Sequence, residues 1–177
     1  MNKKTKKLVL SLLVVVVIGL CIFILSFGSN VKKVTIGNRE MPTADGTTEE
    51  LTKDFVIEQK FINTTENIKE VGVVFSRLYF LEEDDKDVPI CIELSCDGKL
   101  LASTTVISDD VPDQHRVYLN IDNPISGYVG KEFILKIYET YSSDTGLSLM
   151  KSDNDKESYF FNNKKINGSI CFSIIGE

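Results

Sequence analysis

Several absences limit the chemistry available to this chain. Its 177 residues include no Trp and a single His, and they contain no Gly-x-Ser-x-Gly, Cys-centred or His-rich pattern. Zinc and iron sites usually draw on more than one His or Cys, so metal-assisted catalysis lacks its usual ligands here. The one histidine, His115, begins a predicted strand, where a lone His is typical of the surface rather than of a general base. We therefore predict no catalytic residue, no metal site and no enzymatic activity; a hydrolase with carboxylates gathered in space is the enzymatic alternative.

Cysteine is also scarce, with four in the chain. Cys21 lies in the apolar run described below, which leaves Cys91, Cys96 and Cys171, an odd number. Cys91 and Cys96 are five residues apart on one predicted strand, so they face opposite sides of a sheet and should not pair with each other. We expect three thiols, with a bridge from Cys171 to one of the other two as the alternative in an oxidising exterior.

One long hydrophobic run stands out against these absences. It extends from Leu8 to Phe27 without any charged residue, Pro, Asn or Gln. At ~1.5 Å per residue the run makes about 30 Å of helix, which matches the hydrocarbon core of a bilayer. The sequence therefore predicts a single transmembrane helix at residues 8–27, through which the chain partners with the membrane.

The charges around this run predict its orientation. Four lysines precede it within residues 1–7, a basic stub that favours a cytoplasmic amino terminus and an extracellular remainder. Lys32, Lys33 and Arg39 follow the run and weaken the asymmetry. We interpret the segment as an uncleaved signal anchor of a single-pass cell-membrane protein.

Two other interpretations of the same segment fit the residues less well. A cleaved signal peptide needs a small-x-small site, and residues 26–29 form a poor one. A lipoprotein box needs Gly, Ala or Ser before its cysteine, where this chain has Leu20 before Cys21.

The exported part is strongly acidic. All 26 Asp and Glu residues follow Phe27, as do 16 of the 20 basic residues, for a formal charge of 16 − 26 = −10. Such a field repels phosphate, which argues against nucleic acid as a partner and against a flat position on an anionic bilayer.

The remainder divides into a tether and one domain. Residues 28–50 lack a sustained hydrophobic period and contain Gly37, Pro42 and Gly46, so we predict a tether in which only residues 34–36 could pair as a short strand. Residues 51–177 are enough for one domain with a core. Within it, short β-rich runs alternate with turn residues, at 55–61, 71–80, 89–96, 99–107, 116–121, 133–141, 147–150, 158–161 and 170–175.

This pattern predicts an all-β fold. Strands at intervals of about ten residues without crossover helices are typical of an antiparallel β-sandwich, and we predict a jelly-roll-like one, with an immunoglobulin-like sandwich as the alternative. Asp97-Gly98 predicts a tight type I′ hairpin turn, because both positions need positive φ. Pro124 to Gly130 is predicted to turn the chain, and Asn162-Asn163 is a further predicted turn.

Candidate ligand-binding residues are few. An exposed tyrosine beside a polar side chain is a common way to hold a sugar ring, so we nominate Arg77, Tyr79 and Tyr141, although tyrosine is also simply favoured in strands. Two acidic clusters, residues 82–87 and 153–155, offer oxygen ligands for calcium but lack the spacing of an EF-hand loop. We interpret both as solvated loops and predict no cofactor, with calcium as the alternative.

The core and turn positions also carry a resemblance. Gln59-x-Phe61, Val71-Gly72-Val73-x-Phe75, Ile92-x-Leu94 before Asp97-Gly98, and Gly130-Lys131-x-Phe133-x-Leu135 together resemble small membrane-anchored extracytoplasmic sandwich domains of Gram-positive bacteria, whose function is uncharacterised. The resemblance covers residues 55–141 and implies a domain behind one anchor helix, or attached to membrane proteins linked to envelope polysaccharides. It is a likeness of fold, which transfers no catalytic residue.

Two functions outside catalysis remain. The first is a membrane-tethered cell-surface domain that binds carbohydrate or another envelope component, or assists an envelope-polysaccharide complex. The alternative is a structural or assembly partner of another membrane protein, which would use an exposed sheet edge or the transmembrane helix.

Overall fold

The computed structural model describes residues 44–79, 87–141, 145–153 and 157–176, together with the backbone of residues 34–36. All of them belong to one compact unit, Val34–Glu177. The predicted basic stub, the predicted anchor from Leu8 to Phe27 and most of the predicted tether lie outside the described residues. Among those described, no helix has the length and apolar character needed to span a bilayer.

The described residues form two antiparallel sheets. In the first sheet, β4 pairs with β7 on one side, while β13 and β9 pair with successive parts of β4. β1 pairs with β13, and both β2 and β12 pair with β9. The strands of this sheet are β1 (Val34–Ile36), β2 (Gly46–Thr47), β4 (Asn67–Arg77), β7 (Arg116–Ser126), β9 (Leu147–Ser152), β12 (Ser169–Ile170) and β13 (Phe172–Gly176).

The second sheet has the order β11-β10-β3-β8-β5-β6. A short 3-10 turn at Ser108–Asp110 connects its edge strand β6 to β7 of the first sheet. Its strands are β3 (Val56–Ile62), β5 (Pro89–Cys96), β6 (Lys99–Ile107), β8 (Glu132–Glu139), β10 (Ser158–Phe161) and β11 (Lys164–Asn167).

One hydrophobic core lies between the sheets and gives the fold its sandwich-like character. Successive side chains of a strand point to opposite faces, and β5 and β8 follow this rule strictly: alternate residues are buried along both strands. Phe133 and Leu135 of the second sheet are fully buried in the same cluster as Val73 and Phe75 of the first. Burial of one such side chain contributes about 1.5–3 kcal/mol, so this shared core is the main source of stability.

Several sequence predictions are confirmed. The strands at 89–96, 99–107 and 158–161 have the predicted bounds. Asp97 and Gly98 adopt φ angles of 50° and 75°, as the predicted hairpin turn requires. Asn162 and Asn163 also have positive φ and join β10 to β11.

The predicted turn at Pro124 begins too early, because β7 continues to Ser126. β7 pairs only with β4 among the described strands, so its other side lies at a sheet edge. An edge strand tolerates the missing N–H of proline, and Pro124 therefore does not end the strand.

Other strand boundaries also differ from the predictions. β8 ends at Glu139 instead of reaching Tyr141. β4 ends at Arg77 instead of continuing to residue 80, since the Arg77 N–H binds the Asp113 carboxylate and the Leu78 N–H binds the Gly146 carbonyl. The predicted last strand is divided at Cys171. There the Cys171 N–H donates to Met150 of β9 and its carbonyl accepts from Val74 of β4, so the chain changes its pairing partner at this residue.

Part of the segment predicted as a tether is paired with the domain. Val34–Ile36 pairs with β13, as the sequence allowed, whereas the pairing of Gly46–Thr47 with β9 was not anticipated. Thr48 is buried, and its hydroxyl accepts a hydrogen bond from the Leu149 N–H.

Candidate functional site

The outer face of the second sheet carries a row of alternating charges, which we call the charged row. The strand register places Lys165, Phe160, Glu58, Lys136 and Glu93 opposite one another in that order, from β11 to β5. Their sequence neighbours on β3, β5 and β8 are buried in the core, so the row itself faces outward. Neighbouring strands are about 4.8 Å apart, which sets the spacing of the charges.

Two aromatic rings of this face are covered by lysines. The Lys60 ammonium lies 5.2 Å from the centre of the Phe160 ring, and the Lys136 ammonium lies 4.7 Å from that of Tyr138. Such cation–π contacts hold each ammonium group over a flat apolar surface. The face therefore presents rings and charges at the same places.

Tyr138 is also hydrogen-bonded to the charged row. Its hydroxyl donates to Glu93 Oε1 at 2.7 Å. This hydrogen bond, and to a lesser extent burial, raises the pKa of Tyr138 above its ordinary value. The phenol consequently stays protonated and holds the Glu93 carboxylate in one orientation.

Two open grooves lie on either side of the charged row. The larger encloses about 460 Å³. The smaller encloses about 310 Å³. The larger is lined by Lys60, Phe61, Ile62, Glu132, Glu157, Ser158, Phe160 and Lys165, and the smaller by Val56, Glu58, Lys136, Asn162 and Asn163. Both fall in the size range of small-ligand sites.

This arrangement suits a ligand rich in hydroxyl groups. Ammonium groups donate hydrogen bonds and carboxylates accept them, and a hydroxyl does both. In the charged row, the donor Lys136 lies between the acceptors Glu58 and Glu93. Hydrogen bonds to charged groups are about twice as strong as those between neutral groups.

Arg77, a nominated ligand residue, holds a loop of the protein itself. Its Nη2 donates to the carbonyl oxygens of Ser108 and Val111 at 2.7 and 2.6 Å. These bonds tie the end of β4 to the 3-10 turn after β6. The guanidinium thus has a structural role that its sequence position did not reveal.

Tyr79, the second nominated residue, is part of a cluster organised by Glu50. Glu50 Oε1 accepts hydrogen bonds from the Tyr79 hydroxyl at 2.6 Å and from the N–H groups of Thr145 and Gly146 at 3.0 and 2.8 Å. One carboxylate oxygen therefore connects three separate segments of the chain. The Tyr79 hydroxyl is used in this cluster, although the side chain is 43% exposed.

Tyr141, the third, is the most exposed of the large hydrophobic side chains described, at 81%. Its backbone N–H donates to Glu139 Oε1, and the Glu139 side chain is buried. Tyr141 precedes β9, whose first residue, Leu147, pairs with Arg77. None of the three nominated residues belongs to the charged row: Arg77 and Tyr79 hold loops of the protein in place, and Tyr141 is exposed after β8.

The three cysteines outside residues 1–43 are thiols. Cys91 is half-buried and points outward near the Thr105 hydroxyl, whereas Cys96 is buried in the core. Their predicted positions on opposite faces of β5 are confirmed. Burial, together with the nearby Asp97 carboxylate, raises the pKa of the Cys96 thiol.

The two acidic clusters considered for calcium fall mostly outside the described residues. Of their members, Asp87 and Asp153 are described. Asp153 Oδ1 accepts from Lys151 Nζ at 3.0 Å. Within the described ranges, no three His, Cys, Asp or Glu side chains are grouped as a metal site would require.

Sequence reasoning did not find the charged row, because it depends on the register of five strands. A partial signal was present, since Lys136 and Glu93 each occupy the polar position between two apolar residues of a strand. Neither a comparison with the models of known protein families nor one with curated protein sequences finds a relative of this chain.

Proposed function

We propose that this protein is a non-enzymatic, membrane-tethered surface domain that binds envelope carbohydrate on the outer face of its second sheet. The observation that carries the proposal is the charged row, with its two lysine-covered rings and its flanking grooves. The tether to the membrane and the extracellular position rest on the run from Leu8 to Phe27 and its flanking lysines. The resemblance to anchored sandwich domains of Gram-positive bacteria supports the same assignment.

We further propose that the sandwich is a jelly roll. The order β2-β9-β4-β7 in one sheet and β3-β8-β5-β6 in the other supports this, because the chain passes between the sheets as two interleaved Greek keys. In this topology β10 and β11 extend the second sheet beyond β3, and β12, β13 and β1 are additions to the first. The extension by β10 and β11 supplies Phe160 and Lys165 of the charged row.

The balance of charge favours a neutral polysaccharide. Lys60, Lys136 and Lys165 contribute three positive charges to the face, and Glu58, Glu93, Glu132 and Glu157 contribute four negative ones. The exported part as a whole is acidic, so a polyanion would be repelled at long range. A hydroxyl-rich, uncharged chain can use both signs of charge without that penalty.

A set of variants distinguishes binding at this face from binding at the first sheet or at the loop that contains Tyr141. Full-length protein in detergent is titrated with a neutral polysaccharide fraction from the cell envelope. We expect Glu58→Gln to weaken binding about ten- to a hundred-fold, the range that follows from loss of a hydrogen bond to a charged group. Phe160→Ala should also weaken binding, because it removes the ring beneath the Lys60 ammonium and part of the wall of the larger groove.

Two tyrosine variants serve as matched controls. Tyr118→Ala removes a ring that is 44% exposed on the first sheet, and Tyr141→Ala removes the exposed ring at the loop end. Both should bind as the parent does. If Tyr141→Ala alone abolished binding, the site would lie at the end of the sandwich; if no variant changed binding, or the parent bound no envelope fraction, the proposal would be wrong.

A further inference from the structure

The edges of the two sheets differ in how well they are protected. An unpaired strand edge offers a row of N–H and C=O groups to any other strand, and proteins guard such edges with short strands, charges, proline or bulges. β11 is four residues long and begins with Lys164 and Lys165. β7 contains Arg116, Asp122 and Pro124. β1 and β2 have only three and two residues.

β6 lacks most of this protection. It is nine residues long, and after Lys99 it contains no charged residue and no proline. Among the described strands it pairs only with β5. A bulge at Leu101 disturbs its first part, since Leu94 lies opposite Ala102 and Ser95 opposite Leu100. From Ala102 to Ile107 the strand is regular, uncharged and rich in β-branched residues.

The apolar side of β6 also leaves the core incompletely covered. Leu101, Ala102 and Val106 pack against the core but remain partly exposed. The core therefore reaches the edge of the sandwich at this strand. A further strand added beside β6 would cover these side chains as well as pair with the backbone.

We propose that β6 is a self-association edge, at which a second copy of this chain adds its own β6 antiparallel to form one continuous sheet. The charges at its ends are self-complementary. Lys99 begins the strand, and Asp109 and Asp110 follow it in the 3-10 turn. In an antiparallel pair centred between Ser103 and Thr105, each Lys99 lies beside the Asp109 and Asp110 of the other copy.

The two-fold symmetry of such a pair restricts its register. Opposite residues of antiparallel strands point to the same face, so the core-facing set Ala102, Thr104 and Val106 must face its own copy. The symmetry axis then lies midway between the two copies of one residue, which is Ser103, Thr104 or Thr105. With the axis at Thr104, Ser103 of one copy faces Thr105 of the other. With the axis at Ser103 or at Thr105, that residue faces its own copy.

Cysteine crosslinking in native membranes tests this edge. The full-length chain carries Cys21→Ser and Cys91→Ser, which leaves only the buried thiols of Cys96 and Cys171, together with Ser103→Cys and Thr105→Cys. Opposite Cβ atoms in an antiparallel pair approach to about 4.5–5.5 Å, close to disulfide geometry. Mild oxidation should give a covalent dimer, and the two single-cysteine variants should identify the register.

The matched control uses the opposite edge of the same sheet. Lys165→Cys and Asn167→Cys are two outward positions, two residues apart on β11, and should give no dimer. Adding Thr104→Lys to the β6 cysteine variant should remove the dimer band, because the two new ammonium groups then lie opposite each other, or within two residues of each other, in all three registers.

Three results would overturn the proposal. They are the absence of a β6 dimer while both cysteines react fully with maleimide, equal dimer formation by the β11 control, or an adduct of β6 with a different protein. The last result would identify a heterologous partner instead of a second copy. This proposal does not depend on carbohydrate binding, since the charged row is tested by ligand titration and β6 by covalent dimer formation.

Discussion

Gln59 connects the two sheets, and its replacement tests whether that connection stabilises the fold. The residue lies on β3 and is 2% exposed. Its Oε1 accepts from the Ile170 N–H at 3.1 Å and from the Ser169 hydroxyl at 3.2 Å, both on β12 of the first sheet. Its Nε2 donates to the carbonyl oxygens of Lys60 and Ser158 at 3.1 and 3.2 Å.

The expected loss in the free energy of unfolding follows from the polar groups that Gln59→Leu would leave without a hydrogen-bond partner. The Ile170 N–H is fully buried and loses its acceptor, which costs about 1–3 kcal/mol. The Ser169 hydroxyl retains its bond to the Ile170 carbonyl, and the Ser158 carbonyl is partly accessible to water, so together they add about 1 kcal/mol. We expect a total loss of about 2–4 kcal/mol in the free energy of unfolding.

Urea unfolding of the full-length protein in nonionic detergent measures this loss. The chain has six tyrosines and no Trp, so tyrosine fluorescence and β-sheet circular dichroism are the two probes. Asn120→Leu, a comparable amide-to-leucine change at an exposed position of β7, should stay within about 0.5 kcal/mol of the parent. If Gln59→Leu were no more destabilising than this control, the reasoning from the contacts of Gln59 would be refuted.

A charged replacement adds a pH dependence to the same test. In Gln59→Glu, burial and the two facing carbonyl oxygens raise the folded-state pKa of the new carboxyl above its unfolded value of about 4.3. A group with a raised folded pKa is least harmful below its unfolded pKa, where it is protonated in both states. The deficit relative to the parent should therefore be smallest below about pH 4 and grow as the pH rises. A deficit independent of pH would contradict this account.

Two further predictions concern a turn and the thiols. Gly146→Ala should lower the free energy of unfolding by about 2 kcal/mol or more, since φ is +63° and the new Cβ would lie 2.5 Å from the Tyr79 carbonyl oxygen. Gly98→Ala is the control in the same urea assay. Its φ is +75° with open space around it, so it should lower the free energy of unfolding by only about 1 kcal/mol. The second prediction concerns the thiols and is measured by timed alkylation followed by mass spectrometry. Half-buried Cys91 should be modified well before Cys96, because the Cys96 thiol is buried and has a raised pKa. Equal rates of modification would contradict the burial described for β5.

The strands that the sequence predicted best are those whose signals are local. β5 alternates buried apolar residues with more polar ones up to Asp97-Gly98, and a tight turn with positive φ at both positions needs no information from elsewhere in the chain. Boundaries set by distant partners were missed. β4 ends where the Asp113 carboxylate accepts a hydrogen bond from the Arg77 N–H. The predicted last strand divides at Cys171, whose N–H is bonded to β9 and whose carbonyl is bonded to β4.

The roles of the nominated site residues also depend on contacts that local sequence cannot predict. An arginine and tyrosines near strand ends were reasonable candidates for ligand contact, but their surroundings depend on segments far away in sequence. Glu50 reaches Tyr79 across 29 residues, and Arg77 reaches Ser108 across 31. Residue type alone could not reveal that these polar groups hold loops of the protein in place.

The amino-acid sequence by itself determined that the domain is built of antiparallel strands around one core, because strand periodicity and turn chemistry are properties of adjacent residues. It also determined the sign of the domain's charge and supplied the apolar run on which the membrane proposal rests. Only the tertiary structure decided which outward side chains form the charged row and which strand edge is left unguarded. Both depend on register and strand order, which arise when residues far apart in the chain are packed together to bury the core.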